Sequence, residues 1–342
     1  MIRSALKFFV ALLAGVAAGG APAQLVAPTL YGLLDVAAGR FQNPGAGRAW
    51  RAESGGLSTS FIGLRGSDDL GGGLRARFTL ESYVGLDTGS AGRSPTDPFW
   101  GRAANVGLQG AFGSSVLGRS PTPLWQSTRL FNPFGDSVRF SPSIRQYFGG
   151  IAPAIVGDSR WNNSVAFSTP EPEDGNGLSY NVQFNAGEGQ PGATGRNVGA
   201  NVLYTSGPLS ATGAFQRVHN GVAGPPAGFD VQSTYQLGAS YQLPAVKLYA
   251  QAGRVHTDAT VDVRTSLLQA GAAVPIGLGF VLGSYGRARS ESAGVASSVR
   301  TLSVGYDYFL SKNTDVYAVW MNERVSRLAS ANTLASGLRL RF

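Results

Sequence analysis

Side chains able to do covalent or metal chemistry are scarce in this chain of 342 residues, which has no cysteine and only two histidines. His219 and His256 each stand in a loop-like context with no motif around them, which suits solvated positions better than a ligand or a base. Asp68-Asp69 before Gly71-Gly72-Gly73 could be read as a cation or phosphate loop. No helix pattern follows, however, and no Gly-Lys-Ser/Thr, so a tight turn accounts for it. Asn162-Asn163-Ser164 matches a glycosylation acceptor, a pattern frequent by chance. No catalytic, cofactor-binding or metal-binding constellation emerges. The remaining chemistry is electrostatic. Arg75, Arg77 and Arg119 lie in alternating segments, while Arg129, Asp136, Arg139 and Arg145 lie in the long stretch 120–158, with Asp158 at its far end. Charges of this kind, set in a narrow low-dielectric passage, sort ions by sign.

The elements that carry these charges have a period of two. Leu74-Arg75-Ala76-Arg77-Phe78-Thr79-Leu80-Glu81 alternates apolar and polar residues, and so do 178–185, 235–243 and 301–308. Such alternation marks strands with one apolar and one polar face. Alternation alone does not say which face is the core. A sandwich packs its apolar faces together, whereas a membrane barrel turns them to lipid and lines a lumen with the polar ones.

Three features favour the barrel. Tight turns near 67–73, 110–113, 207–208, 244–245, 275–279 and 311–314, with a longer one at 170–177, alternate with longer links near 42–54, 87–101, 120–158, 189–195, 220–229, 257–261, 291–297 and 328–331. Fifteen connections join sixteen strands, an even number with short turns at one end and longer loops at the other. A barrel of that size leaves an aqueous channel. Aromatics such as Tyr204, Tyr235, Tyr241, Tyr306 and Tyr308 sit near strand ends, where an amphipathic ring meets a membrane interface. Finally, Gly337-Leu338-Arg339-Leu340-Arg341-Phe342 alternates up to the last residue, as a strand closing against the first one, Thr29 to Phe41, would.

Composition agrees. Glycine numbers 48, aromatics make up 10% and charged residues only 14%, against about 25% in typical soluble domains. The N-terminus reads as a secretory signal peptide over 1–23: basic Arg3 and Lys7, an apolar run from Phe8 to Ala18, and Ala21-Pro22-Ala23 before the cut. That run is too short to span a bilayer, which needs about 20 residues. Removing Arg3 and Lys7 leaves 26 basic against 20 acidic residues, a net charge of +6. On a soluble protein this would suggest nucleic acid; on a barrel it suggests a positive lumen, and no nucleic-acid partner is expected. Parity assigns Arg75 and Arg77 to the face of Thr79 and Glu81. It also makes Val116 and Gly118 outward, Leu117 and Arg119 inward, and Arg339 and Arg341 solvated near the rim.

Four stretches and the terminus together resemble the general porins of Gram-negative bacteria, of the betaproteobacterial type. They are Thr29–Asp35, Gly63–Gly71 running into Leu80-Glu81, Val106-Gly107-Leu108 with Val116–Arg119, Val304–Lys312, and Gly337–Phe342, which span the chain in the family's order. The resemblance implies an all-β, sixteen-stranded antiparallel transmembrane barrel over 24–342, with the third long loop folded inward as a constriction. It also implies a homotrimer in the outer membrane, contacts with outer-membrane lipid, and Phe342 as part of the signal read by the barrel-assembly machinery. The expected activity is passive diffusion of small hydrophilic solutes and ions, without a cofactor and without enzymatic chemistry. Two departures bear on ion preference: Phe61 stands where such proteins often carry Arg, and the long loop has few acidic residues. With Arg129, Arg139 and Arg145 opposed within the loop only by Asp136, the expectation is an anion-preferring passage. The rival reading is a substrate-specific channel for an anionic solute.

Overall fold

The computed structural model describes residues 27–172, 174–185, 196–219 and 225–342, so the signal peptide expected at 1–23 and the loop expected at 189–195 lie outside the described residues. One antiparallel sheet contains every strand. It runs through β1 (Thr29–Gln42), β2 (Arg48–Ser54), β3 (Phe61–Gly71), β4 (Leu74–Tyr83), β5 (Ala103–Gly110) and β6 (Gly113–Pro121). Two short helices follow, α1 (Pro123–Leu130) and α2 (Pro142–Phe148). The sheet resumes with β7 (Arg160–Ser168), β8 (Gly177–Asn185), β9 (Asn197–Ser206), β10 (Leu209–Val218), β11 (Val231–Gln242) and β12 (Lys247–Asp258). It ends with β13 (Val263–Ile276), β14 (Gly279–Ser292), β15 (Val295–Phe309), β16 (Thr314–Val325) and β17 (Ala331–Arg341). β17 pairs with β1 from Leu33↔Arg341 to Arg40↔Leu334, which closes the barrel. Beyond it, Gly32 and Phe342 exchange backbone hydrogen bonds of 3.0 and 3.2 Å.

The barrel has sixteen staves because β2 and β3 share one. Both pair with β1, Val36↔Ser54 on one side of an excursion and Leu33↔Phe61 on the other. Residues 42–54, expected as loop, therefore hold a strand, and the interruption falls at 55–60 instead. Asp35 pins that excursion inward. Its carboxylate accepts from the N–H groups of Gly56 (3.0 Å) and Ser58 (2.8 Å) and from the Tyr317 hydroxyl (2.5 Å). The β14–β15 link is also shorter than the expected 291–297. It is a two-residue hairpin, Ala293-Gly294, with φ of 48° and 75° as a primed turn requires.

The faces settle which side is the core. Large apolar residues are exposed on the outside, with Leu237 at 69%, Leu178 at 63%, and Tyr235, Leu268 and Leu334 among them. Gln183, Gln216, Gln232, Gln236, Thr301 and Glu323 are buried inside. A soluble sandwich would invert this distribution.

The interior is filled on one side by the segment between β6 and β7. Its helices went unrecognised in the sequence, although Thr122-Pro123 and Ser141-Pro142 mark both starts: each hydroxyl caps its helix and each proline takes the first turn. Asn132 holds the bend between them, donating to the carbonyls of Thr128 and Gly135 (2.9 Å each) and accepting from Phe134 N–H and the Ser141 hydroxyl. The segment lies flush on β11–β14 because lumen-facing glycines admit it. A Cβ on Gly253 would stand 1.8 Å from the Tyr147 hydroxyl, and one on Gly238, Gly271 or Gly286 would press on Phe131, Pro133 or Pro142. Phe134 and Phe140 pack with Leu57, Leu282, Val319 and Met321 in one buried apolar cluster, and Leu124 and Tyr147 pack with Val255, Leu267 and Ala288 in a second.

Candidate functional site: a passage between loop and wall

With β8–β16 covered, the open space lies between the inward loop and the wall of β3–β7. Two cavities lie there among the described residues, of about 830 Å³ toward the long loops and about 670 Å³ toward the short turns. Arg102, Trp125, Asp136 and Arg160 line both, so the passage narrows among them.

Each of the four is positioned by packing. Arg102 stacks its guanidinium on the Phe61 ring at 3.6 Å and pairs with Glu81, which also accepts from the Tyr31 hydroxyl at 2.5 Å. Phe61 thus supplies a stacking surface for this guanidinium. Arg160, at the start of β7, lies 5.4 Å from the ring centroids of both Tyr83 and Trp125. Cation–π contact of this kind holds a guanidinium without cancelling its charge. Asp136 accepts from the Ser58 hydroxyl at 3.0 Å, so the inward excursion at 55–60 sets this acidic group of the loop. The neighbouring Ser137 hydroxyl donates to the Gly56 carbonyl at 2.7 Å. Among the described residues neither Arg160 nor Asp136 has an ion-pair partner within 4.0 Å.

The residues singled out from sequence are distributed more widely. Arg77 lines the turn-side cavity and donates to Gln109 at 3.1 Å. Arg129, exposed at the end of α1, lines the same cavity. Arg75 is exposed at the turn-side rim, 3.9 Å from Asp69. Arg139 reaches Glu53 and sits 5.5 Å over Phe41. Arg145 is buried, its guanidinium forked onto Glu323 at 2.9 and 2.7 Å, and anchors the loop rather than facing open space.

Arg119 reaches the cavity by a different route from the one its parity implied. Val116 faces inward beside Ala166, and Leu117 faces outward beside the exposed Val165, the reverse of the expected faces. A register shift between Gly118 and Ser120, with Gly118 at φ 117°, then interrupts the alternation. Arg119 lines the loop-side cavity but is engaged there by Asp158 (2.5 Å), the Gly101 carbonyl (2.6 Å) and Asn162 (2.7 Å). Arg93 forks onto the same Asp158 at 2.8 and 3.0 Å and also pairs with Asp97. Burial alone would raise the Asp158 carboxyl, but the hydrogen bonds and charge of Arg93, then of Arg119, hold it well below the usual carboxylate range. Arg339 and Arg341 are likewise not merely solvated. Arg339 bridges Asp307 (2.8 Å) and Asp315 (2.9 Å), and Arg341 adds a 2.7 Å pair to Asp315. A bulge and cross-strand carboxylates decided these cases, and neither is visible in a period of two.

A family model for Gram-negative porins matches residues 10–327. The chain is 31% identical over 312 residues to outer membrane porin protein 32 of Delftia acidovorans, covering 89% of this chain and 86% of that protein. It is also 27% identical over 390 residues to an outer membrane porin of Bordetella pertussis, covering 97% and 98%. Among solved structures it is similar to the anion-selective porin from Comamonas acidovorans, with a TM-score of 0.78 and 27% identity over 92% of this chain and 99% of that one. Its fold is shared by OmpT of Vibrio cholerae in trimer form, with a TM-score of 0.68 at 13% identity over 92% and 99%. The closed sixteen-stave barrel, its outward apolar face, the two cavities meeting beside the inward loop and these likenesses agree: the chain belongs to the Gram-negative porin family, the channels of the outer membrane.

Proposed function

We propose that this porin is a passive general-diffusion channel that works as a homotrimer and favours small anions over cations. One observation carries the ion preference. Two arginines and one aspartate line both cavities, and Arg160 is held by aromatic rings rather than by a carboxylate. Arg77 and Arg129 extend the positive character toward the turns. A fixed charge in a confined passage concentrates ions of opposite sign. The similarity to a porin described as anion-selective supports the same reading. Passage needs no cofactor and no covalent step. Residues 1–23 act as the export signal, residues 24–342 form the barrel, and Phe342 serves as the recognition end for the assembly machinery.

The test is the reversal potential of single channels in a planar bilayer under a potassium chloride gradient at low salt. The expected sign is that of chloride preference; potassium preference would overturn the proposal. Saturable block by one organic anion would point instead to a substrate-specific channel.

A further inference from the structure

The loop-side cavity has two unlike walls, and their chemistry points to a class of solute. One wall carries Arg93, Arg102, Arg119 and Arg160. Three of these are engaged by carboxylates: Arg93 and Arg119 by Asp158, and Arg102 by Glu81. Arg160 differs. It is only 6% exposed, and among the described residues no carboxylate lies within 4.0 Å of it. Its Nη1 donates to the neighbouring Ser159 hydroxyl at 3.0 Å, and its buried Nε has no partner among the described residues. A charge buried this far without a counter-charge is costly until an anion meets it.

The inward loop supplies the other wall, and there the lining is apolar. Val138 is 39% exposed, and Phe148, Pro153 and Val156 line the same cavity without being buried. Their segment is held in place by backbone bonds. The N–H groups of Ala154 and Ile155 donate to the carbonyls of Gln146 and Tyr147 at 2.8 and 2.9 Å, and Val156 N–H donates to Gln232 Oε1 at 3.0 Å. Phe148 packs edge-on against Trp125, with ring centroids 5.1 Å apart, so the apolar surface runs up to a ring that neighbours Arg160. Chloride gains nothing from such a surface, whereas an organic body does. Asp136 lines the same cavity, two residues from Val138, and repels a second negative charge there.

We infer that the loop-side cavity preferentially takes up monocarboxylates with a flat apolar body, benzoate being the simplest. This rests on the anion preference proposed above and adds a solute class to it. The carboxylate pairs with Arg160, whose guanidinium offers planar N–H donors that match its two oxygens. The ring lies against Val138 and Phe148. A mostly apolar lining with one well-placed charge is the make-up of sites that orient small organic solutes. One unpaired arginine calls for one negative charge; a dicarboxylate would set its second carboxylate on the apolar wall near Asp136. The cavity favours a class rather than a single solute, so passage remains general diffusion.

The test is the chloride conductance of the full chain in a planar bilayer at low salt, titrated with acetate, benzoate, toluate and terephthalate. Benzoate should halve the conductance at a concentration about fivefold below that of acetate, the factor that withdrawing roughly 40 Å² of ring surface from water provides. Toluate should act at least as well as benzoate, and terephthalate, with its second carboxylate, less well. In the variant V138S/V156S the benzoate value should move toward that of acetate. Benzoate no better than acetate in wild type, or terephthalate better than benzoate, would overturn this inference while leaving chloride preference intact. Action of benzoate without toluate would overturn the class in favour of a single solute, and an unchanged benzoate value in V138S/V156S would overturn the loop wall as its site. Potassium preference in the reversal potential would instead overturn the anion reading beneath it.

Discussion

Asp136→Asn should increase the preference for anions, and the structure provides the size of the effect. Asp136 is the sole acidic residue lining both cavities, and it has no ion-pair partner among the described residues. Its Oδ1 accepts from the Ser58 hydroxyl at 3.0 Å, a bond that an asparagine oxygen preserves, so the change removes charge with little change of shape. Two unit charges at about 4 Å interact by about 1 kcal/mol in bulk water and about 4 kcal/mol near a protein surface. A wet constriction lies between these limits. Taking the lower one, removal of Asp136 changes the occupancy of either ion by roughly fivefold, since about 1.4 kcal/mol is tenfold. The assay is the reversal potential across a potassium chloride gradient, at 0.1 M where the Debye length is about 10 Å and again at 1 M where it is about 3 Å. The shift toward chloride should be several-fold in permeability ratio at low salt and should shrink at high salt. Arg160→Gln should move the potential the opposite way. An unchanged potential in Asp136→Asn, or a shift toward potassium, would refute the placement of the selectivity at this narrowing.

Arg119→Ser should move the reversal potential much less than Arg160→Gln, because Arg119 is already neutralised by Asp158 at 2.5 Å; a larger shift in paired bilayer recordings would contradict this. The lowered Asp158 carboxyl implies that its pairing with Arg93 and Arg119 is fully formed above about pH 4, the ordinary aspartate value, and is lost only as pH falls through its much lower folded value. Thermal unfolding from pH 7 to pH 4 should accordingly show no loss traceable to Asp158, whereas Asp158→Asn should lower stability at every pH in that range. Arg145→Leu leaves Glu323 buried without its partner, at a cost of about 3–5 kcal/mol, measurable by denaturant unfolding in detergent, and Glu323→Gln paired with it should recover part of the loss. Deleting Phe342 should lower the amount of assembled barrel in the membrane while the surviving channels keep their conductance. Gly32→Val should do the same, since a Cβ there would stand 2.7 Å from the Phe342 ring.

Much of the architecture is legible in the sequence. Sixteen staves, the alternation of short turns with longer loops, and the closing of Gly337–Phe342 on the first strand all follow from local pattern, because a strand's faces and its turn residues are written within a few positions. Arg77, Arg129 and Asp136 were picked out by type and position, and all three line the cavities. Arg102 and Arg160 were not. Each is an isolated arginine at a strand edge, and what brings them to the narrowing is stacking on Phe61, Tyr83 and Trp125, residues up to 77 positions away in the case of Arg160 and Tyr83.

By itself the sequence determined the barrel, its apolar outer face, the site of the long inward segment and the excess of positive charge, since each depends on composition or on a period of two that every strand repeats. Tertiary structure alone decided which of those charges remain available. Arg145 and Arg339 meet carboxylates from other strands and Arg119 meets Asp158 of the long loop, so all three are neutralised, while Arg160 meets aromatic rings and keeps its field. In β6 the faces of Val116 and Leu117 are the reverse of those expected, and a bulge at Gly118 then returns Arg119 to the cavity. Alternation constrains the side a residue takes only while the ladder is unbroken, and the charge a passage presents depends on partners that only closure of the barrel brings together.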